Sequence, residues 1–218
     1  MQYPRDRRLS YIGATYIGNF TDKNLIFEVF DEANRYLAQN DLPIRFLYLG
    51  KLEVGPGYLI NIPVGDKQVK GYPLEALIEA LYARLLQEIH KDESFQMRRI
   101  FGLTTFPLVS RNQYFHIYEK FLGFQQDILG MKIMVLSMKP FESEDKELMK
   151  SRIFKGVLHE LGHSFELEHC PNECVMNPPS DIDDWDRRPP AYCSSCMRKL
   201  QGALTAELLL RKEKKMGR

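Results

Sequence analysis

The chain has 218 residues, 44% of them hydrophobic and 27% charged, so it is long enough to bury a substantial core. Its formal net charge is +1, which argues against binding nucleic acid or anionic membranes through a strong positive field. No apolar run reaches about 18 residues, so no transmembrane helix is predicted.

Hydrophobic periodicity predicts strands and helices that alternate along the first two thirds of the chain. The predicted elements are, in order, a strand at Leu9–Ile17, a helix at Asp22–Gln39, a strand at Ile44–Leu49, a loop from Gly55 to Gly57 with an extended stretch at Tyr58–Ile62, a helix at Leu74–Ile89, a strand at Ile100–Phe106 ended by Pro107, and a hairpin of Phe121–Gln125 and Lys132–Met138 around Asp127–Gly130. A long helix is then expected to begin at Ser143, which is followed by two acidic residues.

The segment from His159 to Cys170 carries three of the five histidines of the chain. His159 and His163 are four residues apart, so on a helix they lie one turn apart on one face and can hold the same cation. Glu160 follows the first histidine directly. This is the H-E-x-x-H arrangement of zinc-dependent hydrolases, in which the glutamate is the general base.

His169 comes six residues after His163. On a continuous helix it would lie about 240° around the axis and about 9 Å further along, so it can join the same metal only if the helix ends between them. Glu166 stands where a glycine would make that bend. Either Glu166 adopts the left-handed conformation and His169 is the third ligand, which we favour, or the helix continues and Glu166 itself binds the metal.

The four cysteines form two short-spaced pairs, Cys170 with Cys174 and Cys193 with Cys196. Two such pairs at this separation are typical of a tetrahedral structural zinc site. Two disulfides are the alternative. No apolar run of a secretory signal lies near Met1, so we expect a reducing cytoplasmic location and a second zinc.

These patterns predict an α+β fold, a mixed αβ sandwich in which a twisted mixed β-sheet is backed by helices. The long active-site helix would end the first subdomain, residues 1–165. A small zinc-stapled C-terminal subdomain, residues 166–218, would hold the third ligand and the four cysteines.

Met176 follows in Cys174-Val175-Met176, and with it the chain resembles the archaemetzincins, a family of metzincin-clan zinc metalloproteases. The family pattern is H-E-x-x-H-x-x-G-x-x-H-C, four residues, C-x-M, about seventeen residues and C-x-x-C. This chain departs from it at Glu166, and by one residue fewer in each of the two later spacings. The resemblance implies a catalytic zinc on His159, His163 and His169, Glu160 as general base, Met176 in the turn beneath the metal, and a second zinc on Cys170, Cys174, Cys193 and Cys196.

The resemblance also implies that an extended peptide substrate adds to an antiparallel edge strand near Leu122–Gln126, by β-augmentation. The predicted function is therefore peptide-bond hydrolysis, with a peptide or protein substrate and a monomeric chain. Two alternatives remain: a catalytically idle zinc-binding interaction protein of the same fold, and a zinc-ribbon nucleic-acid module, against which the near-neutral charge argues.

Three remaining features predict no chemistry. His90 and His116 lack any ligand spacing and are interpreted as surface or structural residues. The basic segment Arg211–Arg218 is interpreted as a frayed, solvated tail.

Overall fold

The computed structural model describes residues 6, 8–20, 22–64, 67–91, 97–109 and 123–216. Its elements are β1 (Ser10–Ile17), α1 (Lys23–Gln39), β2 (Ile44–Lys51), a 3-10 turn (Pro56–Tyr58), β3 (Ile60–Val64), β4 (Lys67–Pro73), α2 (Leu74–Lys91), β5 (Arg99–Thr104), β6 (Leu108–Val109), β7 (Gly123–Ile128), β8 (Met131–Ser137), a 3-10 turn (Lys139–Phe141), α3 (Lys146–Ser164), α4 (Ile182–Arg187) and α5 (Ser194–Met216).

The main sheet has five strands in the order β2-β1-β5-β8-β7. The first four strands run parallel, and β7 pairs antiparallel with β8. The predicted hairpin is confirmed, although residues 121 and 122 lie outside the described part of the chain. Its turn is Leu129-Gly130, where both residues have positive φ (53° and 77°), as a two-residue hairpin turn requires.

Helices cover both faces of this sheet, which confirms the predicted α+β class. Successive residues of β8 point to opposite layers, so that Met134 and Leu136 pack with α1 and α3 while Ile133 and Val135 pack with α2. The larger apolar cluster also includes buried residues beyond position 166, among them Trp185 and Leu200. The core therefore crosses the proposed boundary at residue 165, and the two-subdomain division stays a prediction.

A second, three-stranded sheet in the order β3-β4-β6 was missed. The sequence predicts only one extended stretch there, Tyr58–Ile62, whereas Tyr58 ends the 3-10 turn and the strand begins at Ile60. The strand β5 ends at Thr104, and β6 resumes extended structure just beyond Pro107. Strand β6 has only two residues, too few to show a period of two, and β4 contains Gly71 and Pro73, which are depleted in strands.

The frayed tail predicted from Arg211 onward is wrong. Helix α5 continues to Met216, and the Arg211 guanidinium donates to Ser10 Oγ at 3.2 Å and pairs with Glu207 one helical turn earlier. Helix α5 was not predicted, because its apolar residues are not concentrated on one face. Among the described residues, every helix is too short or too polar to cross a bilayer.

Candidate metal centre

Helix α3 places His159 and His163 side by side. Its N-cap is Asp145, two residues after the predicted start at Ser143, and the Asp145 carboxylate accepts from the N–H of Glu147 at 2.9 Å. The two imidazole Nε2 atoms lie 3.0 Å apart. Each Nδ1 faces a backbone carbonyl, that of Val175 at 2.6 Å for His159 and that of Leu167 at 2.7 Å for His163.

These carbonyls determine which nitrogen of each imidazole ring carries the proton. A carbonyl can only accept, so each Nδ1 carries the proton and each Nε2 lone pair points toward its neighbour. Burial lowers the pKa of His159 to about 3 and also lowers that of His163, which keeps both rings neutral at pH 7. Neutral imidazoles with free Nε2 lone pairs are what a metal ion requires.

The helix ends where the sequence requires it to end. Glu166 has φ 63°, its N–H donates to His163 O at 2.9 Å, and the N–H of Leu167 donates to Gly162 O at 3.1 Å. This pair of bonds is the Schellman motif that usually needs glycine at this position. The favoured prediction of a left-handed bend at Glu166 is confirmed.

Arg99, which the sequence analysis did not single out, supports this helix end. Its guanidinium lies 3.8 Å from the Phe165 ring centroid and donates to Ser164 O at 3.3 Å. It also pairs with Glu207 of α5 at 2.6 Å. The orphan carbonyl of the last helical residue is thereby satisfied, which stabilises termination at Ser164.

The bend brings His169 back to the helix. Its ring centroid lies 5.0 Å from that of His163 and 5.4 Å from that of His159, and ligand atoms of the three residues lie within 4.8 Å of one another. Glu166 instead forms an ion pair with Lys132 of β8 and is not part of the cluster. The alternative in which Glu166 is the third ligand is therefore wrong.

Met176 lies under the same helix and is fully buried. Its sulfur occupies the space above Gly162, where a Cβ would come within 2.4 Å of Sδ. The turn is tied to the ligand segment, because the N–H of Cys170 donates to Met176 O at 2.9 Å. The second intervening residue of H-E-x-x-H must accordingly be as small as glycine.

The four cysteines form a second cluster next to His169. The Sγ atoms of Cys170 and Cys193 are 3.8 Å apart, and those of Cys174 and Cys196 are 4.0 Å apart. All four cysteines are free, and a disulfide would bring the sulfurs to about 2 Å. Metal–sulfur bonds of about 2.3 Å in a tetrahedron separate the sulfurs by about 3.8 Å, so the spacing fits zinc.

Glu160 projects from α3 into a cleft beside the histidines. The cleft has a volume of about 420 Å³, and its walls include Gly123, Leu136, Pro178 and Trp185. The carboxylate is only 4% exposed, and burial raises the pKa of Glu160 to about 8. The cleft therefore combines a basic carboxylate with an apolar wall.

Strand β7 forms one rim of the cleft, as the last strand of the main sheet. Trp185 of α4 forms another, and the sequence analysis missed it because a six-residue helix has no periodicity to detect. The signal that could have found α4 is Asp181, whose side chain caps the helix by accepting from the N–H of Asp184 at 2.7 Å. His90 lies exposed at the end of α2, whereas His116 lies outside the described residues.

Comparison with known proteins gives curated relatives that each match less than half of the chain. An archaemetzincin of Pyrococcus abyssi is 40% identical over 98 residues, which are 41% of this chain and 52% of the relative. One from Pyrococcus furiosus is 48% identical over 64 residues, 29% of this chain and 33% of the relative. The chain thus spans about half or less of the length of these curated relatives.

Solved structures extend the likeness to the whole fold. The crystal structure of archaemetzincin from Methanopyrus kandleri has a TM-score of 0.65 at 23% identity and covers 94% of this chain and 99% of its own. A zinc-dependent peptidase from Methanocorpusculum labreanum has a TM-score of 0.59 at 20% identity, covering 86% and 99%. At these identities the likeness establishes the fold alone. Residues 9–202 also match the sequence model of Peptidase family M54, and since they make up most of the chain, the protein belongs to that family.

Proposed function

We propose that this chain is a zinc-dependent metallopeptidase that hydrolyses peptide bonds, with His159, His163 and His169 as the zinc ligands and Glu160 as the general base. One observation carries the proposal: three imidazoles converge within 4.8 Å of one another in a cleft that a buried carboxylate also lines. Membership of a peptidase family agrees with it.

The donor set suits zinc. A tetrahedral ion held by three imidazole nitrogens would keep one position open, which distinguishes a catalytic site from a closed structural one. A zinc ion bound there would lower the pKa of water to about 7 and polarise a carbonyl. The carbonyls of Val175 and Leu167 orient the two helical ligands, and the bend at Glu166 brings the third.

Glu160 moves the protons in this proposal. Its carboxylate takes a proton from the attacking water and returns it to the amine that leaves the cleaved peptide. Glu160 directly follows the ligand His159 on α3 and lines the same cleft as the three histidines, which places it for both steps.

Strand β7 is the proposed substrate strand, in agreement with the expectation for Leu122–Gln126, of which residues 123–126 are described. At the opposite edge of the sheet, the side chain of Asn34 in α1 exchanges two hydrogen bonds with the backbone of Phe46 in β2, at 2.8 and 3.2 Å. That edge is therefore closed to a further strand. An extended peptide would add at β7, alongside the histidines.

We further propose a second, structural zinc on Cys170, Cys174, Cys193 and Cys196. The four thiols are free, and the Sγ–Sγ distances of 3.8 and 4.0 Å match the spacing of sulfurs around a tetrahedral zinc ion. Because His169 and Cys170 are adjacent in the chain, the structural zinc would hold the third catalytic ligand in place.

Zinc content and cleavage of a peptide library test the proposal together. The wild type should carry two zinc ions per chain and cleave library peptides. His169→Ala and Cys193→Ser should each lower the zinc content to about one per chain. Glu160→Ala should keep both ions and abolish cleavage. The matched control is His90→Ala, which removes an exposed histidine outside the cluster and should change neither quantity.

Two results would contradict the assignments. Full zinc retention after His169→Ala would remove that residue from the ligand set. A wild type that binds two zinc ions and cleaves no library peptide would favour the idle zinc-binding protein instead.

A further inference from the structure

Gly123, the first described residue of β7, lies directly against the proposed general base. It pairs with Leu136 of β8, whose side chain packs in the layer that contains α3. Cross-strand partners point to the same face of a sheet, so position 123 faces α3 as well. A Cβ built on Gly123 would lie 2.2 Å from Oε1, 2.5 Å from Cδ and 2.8 Å from Cγ of Glu160.

These distances leave no room for any side chain. The Glu160 carboxylate thus occupies the volume that a side chain on β7 would fill, and the backbone of β7 forms the wall behind it. Side chains in a packed interior cannot overlap to this extent, so a substitution at Gly123 must displace either the carboxylate or the strand.

The Glu160 side chain is buried, with the residue only 4% exposed. Among the described residues, none donates a hydrogen bond to it, so within this part of the chain its position depends on packing. A Cβ on Gly123 would come closer to it than a real contact allows.

We propose that Gly123 is a positioning residue for hydrolysis: because it has no side chain, β7 can hold the Glu160 carboxylate beside the three histidines while it also serves as the substrate strand. The proposal rests on the proposed function. It assigns to this backbone position the placing of the base.

A stability cycle tests the contact without reference to activity. Thermal unfolding is measured for the zinc-loaded wild type, Gly123→Ala, Glu160→Ala and the double variant. Overpacking against Glu160 should lower Tm by about 5 °C in Gly123→Ala. In the Glu160→Ala background the same substitution should lower Tm by about 1 °C or less, because the colliding atoms are gone.

Kinetics test the catalytic role. With a peptide that the wild type cleaves, Gly123→Ala should reduce kcat about 100-fold with KM changed less than about threefold and both zinc ions retained. Gly202→Ala is the matched control, because Gly202 lies in α5 with no atom within 4 Å of a built Cβ. That variant should keep wild-type kcat and KM.

Each possible outcome supports or overturns the contact between Gly123 and Glu160 or the positioning role. An equal loss of Tm in both backgrounds, including failure of both to fold, would overturn the contact with Glu160. A variant that folds only together with Glu160→Ala would support it. A raised KM at unchanged kcat would assign Gly123 to substrate binding and overturn the positioning role. If the wild type cleaves no peptide, the proposed function fails and the catalytic role with it, while the Tm cycle still reports whether the contact exists.

Discussion

Replacing Glu166 with glycine tests how this chain forms the bend before His169 without the residue that usually makes it. Glu166 has φ 63°, a conformation that costs a non-glycine residue about 1–2 kcal/mol. Glycine would relieve most of this cost, but it would also lose about 0.4–1 kcal/mol through the greater freedom of the unfolded chain. The backbone contribution of Glu166→Gly is therefore a gain of about 0.5–1 kcal/mol.

The side chain of Glu166 opposes this gain through its ion pair with Lys132. The glutamate side chain is 77% exposed, so water screens the pair and it contributes about 0–1 kcal/mol. Lys132 keeps a second partner, Asp127, at 2.7 Å. The sum predicts that Glu166→Gly is neutral to slightly stabilising, whereas Glu166→Gln loses the pair, keeps the strained φ and is destabilised by up to about 1 kcal/mol.

Urea unfolding of the zinc-loaded protein, followed by circular dichroism, measures both variants. Glu166→Gly should be more stable than Glu166→Gln by about 1 kcal/mol, which corresponds to about 2–4 °C in Tm for a chain of this size. Zinc content should stay at two per chain in both. A glycine variant less stable than the glutamine variant would refute the assignment of strain to this bend, and loss of one zinc would show that the ion pair places His169.

Two further predictions concern the C-terminal helices. Glu207 forms ion pairs with Arg99 and Arg211. Burial opposes its ionisation, but its bonds to the two arginines lower its pKa overall. Its contribution to the free energy of unfolding is therefore fully present above pH about 4.5 and is lost as the pH falls through the lowered pKa. Glu207→Gln should lower the free energy of unfolding by about 2 kcal/mol at pH 7, and the difference from the wild type should shrink as the pH falls through the lowered pKa of Glu207. A difference that stays constant from pH 7 into the acid range would contradict the prediction. Lys155 is buried and donates to three backbone carbonyls around Trp185, at 2.5 to 3.2 Å. Lys155→Met should lower the free energy of unfolding by about 2 kcal/mol and shift the fluorescence emission of Trp185, the single tryptophan, to longer wavelength. Unchanged emission would show that Lys155 does not hold α4 in place.

The site was more predictable from sequence than the fold around it. His159 and His163 share a face because four residues make about one helical turn, and that relation needs no tertiary information. The bend at Glu166, which has φ 63°, was also accessible, since His169 can return to the helix only if the helix ends before it. Helix geometry and the requirement for a third metal ligand together constrain these positions.

What the sequence did not predict depends on distant partners. Helix α5 is stabilised by contacts of Glu207 and Arg211 with β1 and β5, which are nearly 200 and more than 100 residues away along the chain. The pairing of β4 with β6 likewise joins Tyr72 to Leu108 across all of α2. The secondary-structure propensities of neighbouring residues do not reflect such distant contacts, so these elements could not be predicted from the sequence.

Glycines near the site show why a motif and its surroundings differ in predictability. Gly162 lies inside H-E-x-x-H, yet the motif leaves its position unspecified, and only the sulfur of Met176 above it explains why it must be small. Gly123 lies 37 residues before Glu160 and belongs to no motif, yet it approaches the proposed base more closely than a Cβ contact allows. A ligand must be a particular chemical group, so its identity is written in the sequence. A position that must lack a side chain is defined by the neighbours that fill the space. Here these neighbours are the carboxylate of Glu160, the proposed base, at Gly123 and the sulfur of Met176 at Gly162.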